Sequence, residues 1–219
     1  MKICLDYGHG KRTGSRHQTI YEDDLVYTIG EKLLKQLKLN DIDVALTRNR
    51  DGFPSLSERC KIANDNKVDL FVSIHINSAE NPKANGIEVL HYRGEDNKKF
   101  AQKICDAMCM ETNAINRGAK ERNDLMVLNG TKAKAVLIEC GFLSNNNELV
   151  KLIDGAYQDK LVKGIIEGLD MEYKEDKPQK ETYYRVVCGS CSYRNNAEIR
   201  LRELTEKGYK DSFLMTYEK

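Results

Sequence analysis

The chain has 219 residues, 40% hydrophobic and 32% charged, enough for one substantial core with a small second unit beside it. Thirty-five Lys and Arg offset 34 Asp and Glu, so no overall field favours nucleic acid or an anionic membrane surface, and no stretch approaches the ~18 apolar residues of a membrane span. Seven cysteines, odd in number and mostly set within apolar runs, argue for reduced core thiols and against a disulfide framework.

Residues 1–6 run straight into a motif rich in Gly and His, with no apolar export segment. The expectation is synthesis in a host cytoplasm without a signal peptide. Apolar runs at 2–6, 43–47, 69–74, 86–92, 125–128 and 135–139 read as strands; aliphatic and β-branched content without strict alternation predicts burial on both faces. Between them, Leu25, Ile29, Leu33 and Leu37 mark one apolar stripe of a helix over 23–39. Ser55-Leu56-Ser57-Glu58 opens a second helix as a capping box, and Asn145 to Glu148 open a last one that runs to about residue 169. Strands alternating with helices predict an α/β domain over 1–173, a mostly parallel twisted sheet flanked by helices. Residues 174–182 are charged and broken by Pro178, a linker pattern. Residues 183–219 then read as a small βαβ unit: a strand over 184–188, a helix over 195–207 ended by Gly208, and a strand over 212–217.

Three polar residues close predicted strands: His9 in Tyr7-Gly8-His9-Gly10, His75 after Val72-Ser73-Ile74, and Glu139 after Val136-Leu137-Ile138. The carboxyl ends of strands form the binding edge of an open parallel sheet, so these groups are expected to converge. Two imidazoles and a carboxylate are a recurring ligand set for catalytic zinc. Glu22, at the start of the first helix, can supply the carboxylate, with Asp23 and Asp24 as its neighbours and rivals. The glycines around His9 let the backbone bend close to a ligand, whereas His17 and His91 lack any such setting and read as surface residues. A carboxylate ending an apolar run costs several kcal/mol to bury unpaired, so Glu139 requires a cation or a proton. Arg48, Arg59 and Asn77 are polar residues expected near the same edge, with Asn77 and Arg48 as candidate substrate contacts and a structural role as the alternative.

These residues carry a family resemblance. Asp6 to Gly10, Glu22 to Leu25, Leu56 to Arg59, Ser73 to Ser78, Gly86 to Glu88 and Val136 to Asn145 stand in the order found in the type 3 N-acetylmuramoyl-L-alanine amidases of bacterial autolysins and phage endolysins, and the chain resembles that family over residues 1 to about 172. The resemblance implies one Zn2+ per chain held by His9, Glu22 and His75, with Glu139 as the catalytic glutamate. It implies bacterial peptidoglycan as substrate, cut between the lactyl group of N-acetylmuramic acid and L-alanine. Lys11 stands where the family commonly has another glycine, and the loop from Lys11 to Tyr21 is short, which leaves substrate contacts from that loop open.

The tail is similar to half of a sporulation-related repeat, a peptidoglycan-binding module. A lone βαβ unit exposes a sheet edge, so pairing with a second copy through 183–219 is expected to make a homodimer. Cys188-Gly189-Ser190-Cys191 is a Cys-x-x-Cys that reads as two strand-core thiols and not as a zinc site, since it has no second pair or nearby His. The setting expected for the whole is a phage or prophage endolysin that acts on the wall after release, with a host autolysin or sporulation or germination amidase, a noncatalytic wall-binding protein, and a metallohydrolase of a different amide or ester as alternatives.

Overall fold

The computed structural model describes residues 1–174, 189–210 and 212–216, and the chain divides into two units, Met1–Glu175 and Asp176–Lys219. In the first, β1 (Lys2–Tyr7) leads to a short hairpin, β2 (Arg16–His17) and β3 (Ile20–Tyr21), and then to α1 (Glu22–Leu39). There follow β4 (Asp43–Leu46), α2 (Leu56–Asp65), β5 (Leu70–Asn77), β6 (Ile87–His91), α3 (Glu95–Thr112) and β7 (Asn116–Glu121). The unit ends with α4 (Met126–Asn129), β8 (Lys134–Phe142), α5 (Asn146–Leu152) and α6 (Gly155–Gly168). The second unit contributes α7 (Arg194–Glu206).

Six strands form one sheet in the order β4-β1-β5-β8-β6-β7. Every neighbouring pair is parallel except β6 with β8, so the expected mostly parallel α/β sheet is present. The one reversal has a consequence for function. It brings the amino end of β6 to the edge where β1, β5 and β8 end, and there Glu139 stands opposite His75 on one side and Glu88 on the other.

Alternation along each strand feeds both faces of the sheet. On β1, Ile3, Leu5 and Tyr7 join the larger core cluster with Leu33, Ile104, Met108 and Ile165, while Cys4 joins a smaller one with Ala63, Phe71, Val127 and Leu128. Helices α1, α3 and α6 therefore cover one face and α2 and α4 the other. α6 lies against α3 at unusually short range: a Cβ on Gly164 would fall 2.4 Å from Met108 Cα, and one on Gly168 2.7 Å from Ile104 Cα. The capping box of α2 forms as the sequence predicts, Ser55 N–H donating to Glu58 Oε2 at 2.7 Å and Glu58 N–H to Ser55 Oγ at 3.3 Å.

Several expectations need correction. Residues 125–128 form the start of α4 and not a strand; a four-residue apolar run fits one buried helical turn as well as a strand, and Val127 and Leu128 are buried in the smaller cluster. β7 escaped the reading because Asn-Arg-Gly-Ala-Lys-Glu has no apolar run, as suits an exposed edge. The last helix is two, divided where Asp154 caps α6 by accepting from Ala156 N–H. His91 is buried, not on the surface, with its Nδ1 2.7 Å from the Tyr92 carbonyl oxygen. In the tail, α7 matches the predicted helix, whereas residues 212–216 carry no strand; Leu214 there is exposed, without the burial that favours an extended pairing segment. The predicted strand 184–188, and with it Cys188, lies outside the described residues. Of the described cysteines, all are free and Cys4, Cys60, Cys105 and Cys140 are buried. Among the described residues no helix is long and apolar enough to cross a membrane.

Candidate active site

His9 leaves the end of β1 with a left-handed backbone, φ +61°, a conformation a non-glycine residue keeps only when its surroundings hold it there. Two buried arginines supply that hold. Arg59, from α2, donates to the carbonyls of Tyr7 (2.7 Å) and His9 (2.5 Å) and pairs with Asp6 (2.6 Å). Arg48, just past β4, donates to Tyr7 O (2.8 Å) and Gly8 O (3.0 Å) and pairs with Asp23 (2.5 Å). Asp6 is completed by Thr47 and Ser73 hydroxyls at 2.5 and 2.6 Å. Each buried charge thus has a partner and each gripped carbonyl a donor, which removes the penalty that an unpaired buried ion would carry.

Glu22, in the first turn of α1, reaches the same point. Its Oε1 lies 3.1 Å from His9 Nε2 and 3.1 Å from His75 Nδ1, and also accepts Ile76 N–H at 3.1 Å; its Oε2 accepts Ser15 N–H at 2.8 Å. The rivals are engaged elsewhere: Asp23 with Arg48 and the Arg12 amide, Asp24 with Arg50. One ligand atom from each of His9, Glu22 and His75 lies within 4.8 Å of the others. Two glycines make room for this crowding. A Cβ on Gly8 would come within 2.4 Å of the His75 ring, and one on Gly14 within 2.7 Å of both Glu22 Oε2 and the His9 ring.

Burial alone would raise Glu22, but the imidazoles of His75 and His9 at hydrogen-bond distance hold its carboxyl well below the usual range. Burial alone would lower His75, whereas Glu22 beside it and Glu139 across from it raise it instead. Glu139 shows the opposite balance: burial pushes it up to about 7, with His75 pulling down and Glu22 and Glu88 adding to the rise. Its Oε2 is buried and lacks a hydrogen-bond partner among the described residues.

The two candidate substrate contacts divide. Arg48 is fully buried, so its guanidinium faces the backbone of the His9 loop and the expected contact with substrate is replaced by support of that loop. Asn77 remains at the edge, donating to Glu88 Oε1 at 2.9 Å, while Arg117 of β7 holds the other oxygen of Glu88 at 2.8 Å. Glu88 and Arg117 received no role from the sequence reading; β7 itself was the missing information.

A nitrogen, nitrogen, oxygen donor set at this spacing can hold a divalent cation and suits zinc, which takes His and carboxylate ligands with one position left open. The orphaned Glu139 oxygen fits the same reading, since it lies beside the cluster with a proton to exchange. A cluster able to hold a cation next to such an acid is the equipment of a hydrolase.

Comparison with known proteins agrees. Residues 3–171 match the family described as N-acetylmuramoyl-L-alanine amidase. The uncharacterized protein YqiI of Bacillus subtilis is 32% identical over 177 residues, 79% of this chain and 85% of that one. The probable cell wall amidase LytH of Staphylococcus aureus is 32% identical over 78% of this chain, which spans 58% of its length. Among solved structures, an N-acetylmuramoyl-L-alanine amidase from Clostridium difficile 630 is 35% identical with a TM-score of 0.72, covering 77% of this chain and 94% of its own. The catalytic domain of CwlV from Bacillus (Paenibacillus) polymyxa var. colistinus is 32% identical with a TM-score of 0.73, covering 78% and 99%. The catalytic domain of the CD27L endolysin targeting Clostridia difficile is 26% identical with a TM-score of 0.66, covering 80% and 99%. The chain belongs to the N-acetylmuramoyl-L-alanine amidase family, whose hydrolases act on peptidoglycan.

Proposed function

We propose that this chain cuts the amide between the lactyl group of N-acetylmuramic acid and L-alanine, with one zinc ion held by His9, Glu22 and His75 and with Glu139 as the proton carrier. The observation that carries this reading is the orphaned, buried Glu139 oxygen beside a three-donor cluster. His9, Glu22 and His75 would hold the zinc, which when bound would supply Lewis acidity for the scissile carbonyl and lower the pKa of a water to about 7. Glu139, with its own carboxyl pushed up to about 7, is matched to accept the proton of the attacking water and return it to the leaving amine. Glu22 keeps its charge throughout because both imidazoles favour the ionised form. Arg48 and Arg59 keep His9 in place by gripping the backbone on either side of it.

The test is digestion of purified peptidoglycan by the zinc-loaded protein and by Glu139→Ala. The wild type should release new L-alanine amino groups, and the variant should lose at least a hundredfold in rate, as is common on removal of a general base. Equal release by both, or none by the wild type, overturns the mechanism.

We also infer that the protein acts as a phage or prophage endolysin released onto the wall, a reading supported by its likeness to the CD27L endolysin domain. Co-expression with a holin should then lyse the host promptly, in a further arm of the same experiment, whereas an unchanged culture counts against this setting. Residues 183–219 we assign to pairing with a second copy of the chain. The support is α7, none of whose residues is buried and in which Ile199 is exposed, since a 13-residue helix is marginal without a packing partner.

A further inference from the structure

A second feature opens on the same edge of the sheet, away from the histidine cluster. It is a cavity of about 460 Å3 lined by Pro82, Lys83, Asn85, Asn145, Asn146 and Asn147, a volume within the range of ligand sites, ~300–1,000 Å3. It begins where the strands bearing His75 and Glu139 end, for there Leu143 N–H donates to the Asn77 carbonyl at 2.7 Å. From the other side, His17 Nε2 lies 2.8 Å from Asn146 Oδ1, which ties the loop between His9 and Glu22 to the cavity rim.

The walls are preformed. The Ala79 amide donates to Ser144 Oγ at 3.0 Å, Asn145 Nδ2 to the Ala84 carbonyl at 3.1 Å, and the Gly86 amide to Glu148 Oε1 at 3.0 Å. The same Glu148 accepts the Phe142 amide through Oε2 at 2.7 Å, so one buried carboxylate joins the cavity wall to the strand that carries Glu139. A site already ordered costs less to fill.

The lining also selects. Four of the six residues are carboxamides, the one charged group is the Lys83 ammonium, and none is acidic or aromatic. Asn85 Nδ2 donates to the Lys83 carbonyl, Asn146 Oδ1 meets His17 and Asn145 is engaged at both ends, which leaves Asn85 Oδ1, Asn146 Nδ2 and the Asn147 carboxamide as acceptors and donors for peptide units, and an ammonium favours a carboxylate. Without an aromatic ring the cavity offers no flat face to a sugar, which weighs against the glycan as its occupant.

We propose that this cavity receives the stem peptide beyond L-alanine, with the carboxylate of the acidic second residue against Lys83 and the peptide groups against Asn85, Asn146 and Asn147. The proposal rests on the amidase reading above and adds a specificity site to it. Lys83 and Asn147 are exposed, so substitution there leaves the core untouched.

The experiment compares kcat and KM of the zinc-loaded wild type, Lys83→Gln and Lys83→Glu on three soluble muropeptides. One has L-alanine alone, one has a longer stem with a free carboxylate on its second residue, and one has the same stem with that carboxylate amidated. The wild type should favour the free-carboxylate stem over both others. Lys83→Gln should lower that preference about tenfold, the usual size of one lost charge-assisted hydrogen bond, chiefly through KM, and Lys83→Glu should lower it further. Preferences that are the same in all three proteins, or a wild type indifferent to stem length and amidation, overturn the subsite. A wild type that cuts none of the three overturns the amidase reading instead, so the two failures are distinguishable.

Discussion

Glu139 carries its proton at the expense of stability. In the metal-free chain its carboxyl stands at about 7 against an ordinary value of 4.5, so between those values the folded protein holds a proton that the unfolded chain has released. Stability therefore falls as pH rises through that window and is unaffected well below it. Glu139→Gln, treated with chelator, should match wild type at pH 4 and exceed it by about 1–3 kcal/mol at pH 8, from the size of the shift. Denaturant melts at the two pH values measure this, and a gain of the same size at both would contradict the burial argument. This tension was legible in the sequence, where a carboxylate closes an apolar run. The role of Arg48 was not, because its partners are backbone carbonyls of residues 7 and 8, and no side-chain pattern reports where a carbonyl points. Glu22 stood among three consecutive acids, and only the direction of the first turn of α1 separated it from Asp23 and Asp24.

Among elements, the α3–α6 contact depends on glycine in a way that propensity scales penalise. Gly164 and Gly168 weaken α6 as a helix, by roughly 1 kcal/mol each relative to alanine, yet they let its backbone approach that of α3. Gly164→Ala should consequently destabilise by about 1–3 kcal/mol through overpacking, whereas Gly155→Ala, with only the Lys32 ammonium within 4 Å of the added carbon, should change stability by less than about 0.5 kcal/mol. Thermal melts of the two variants decide; equal shifts would remove the close-packing account. Strands with aliphatic runs were predictable because they are buried on both faces, as were helices with a stripe or a capping box. β7 was not, since an edge strand needs little apolar surface, and its absence hid the Arg117–Glu88 pair beside Glu139. The short α4 was misread for the converse reason: its burial was visible and its conformation was not.

For the molecule as a whole, the division at Glu175 falls beside the charged linker that composition marks. A chain ended there should melt with the midpoint of the first unit unchanged. On sedimentation it should run as a monomer while the intact chain runs as a dimer; two monomers would end the pairing proposal. The catalytic unit was readable because its signals recur at strand ends, whereas the described residues of the tail hold one helix, α7, with no buried side chain from which to infer a partner. The stretch from His9 to Glu22 shows a different kind of economy. Its two ends are both donors of the same cluster and are anchored independently, one by the arginines beneath β1 and the other by α1, so a bound cation would close it into a chelate ring. Within that ring only Gly14 and Ser15 press on the donors, the first by leaving room for the His9 ring and Glu22 and the second by its amide on Glu22 Oε2, so the other interior positions can diverge in what they touch while the chemistry at the ends stays fixed.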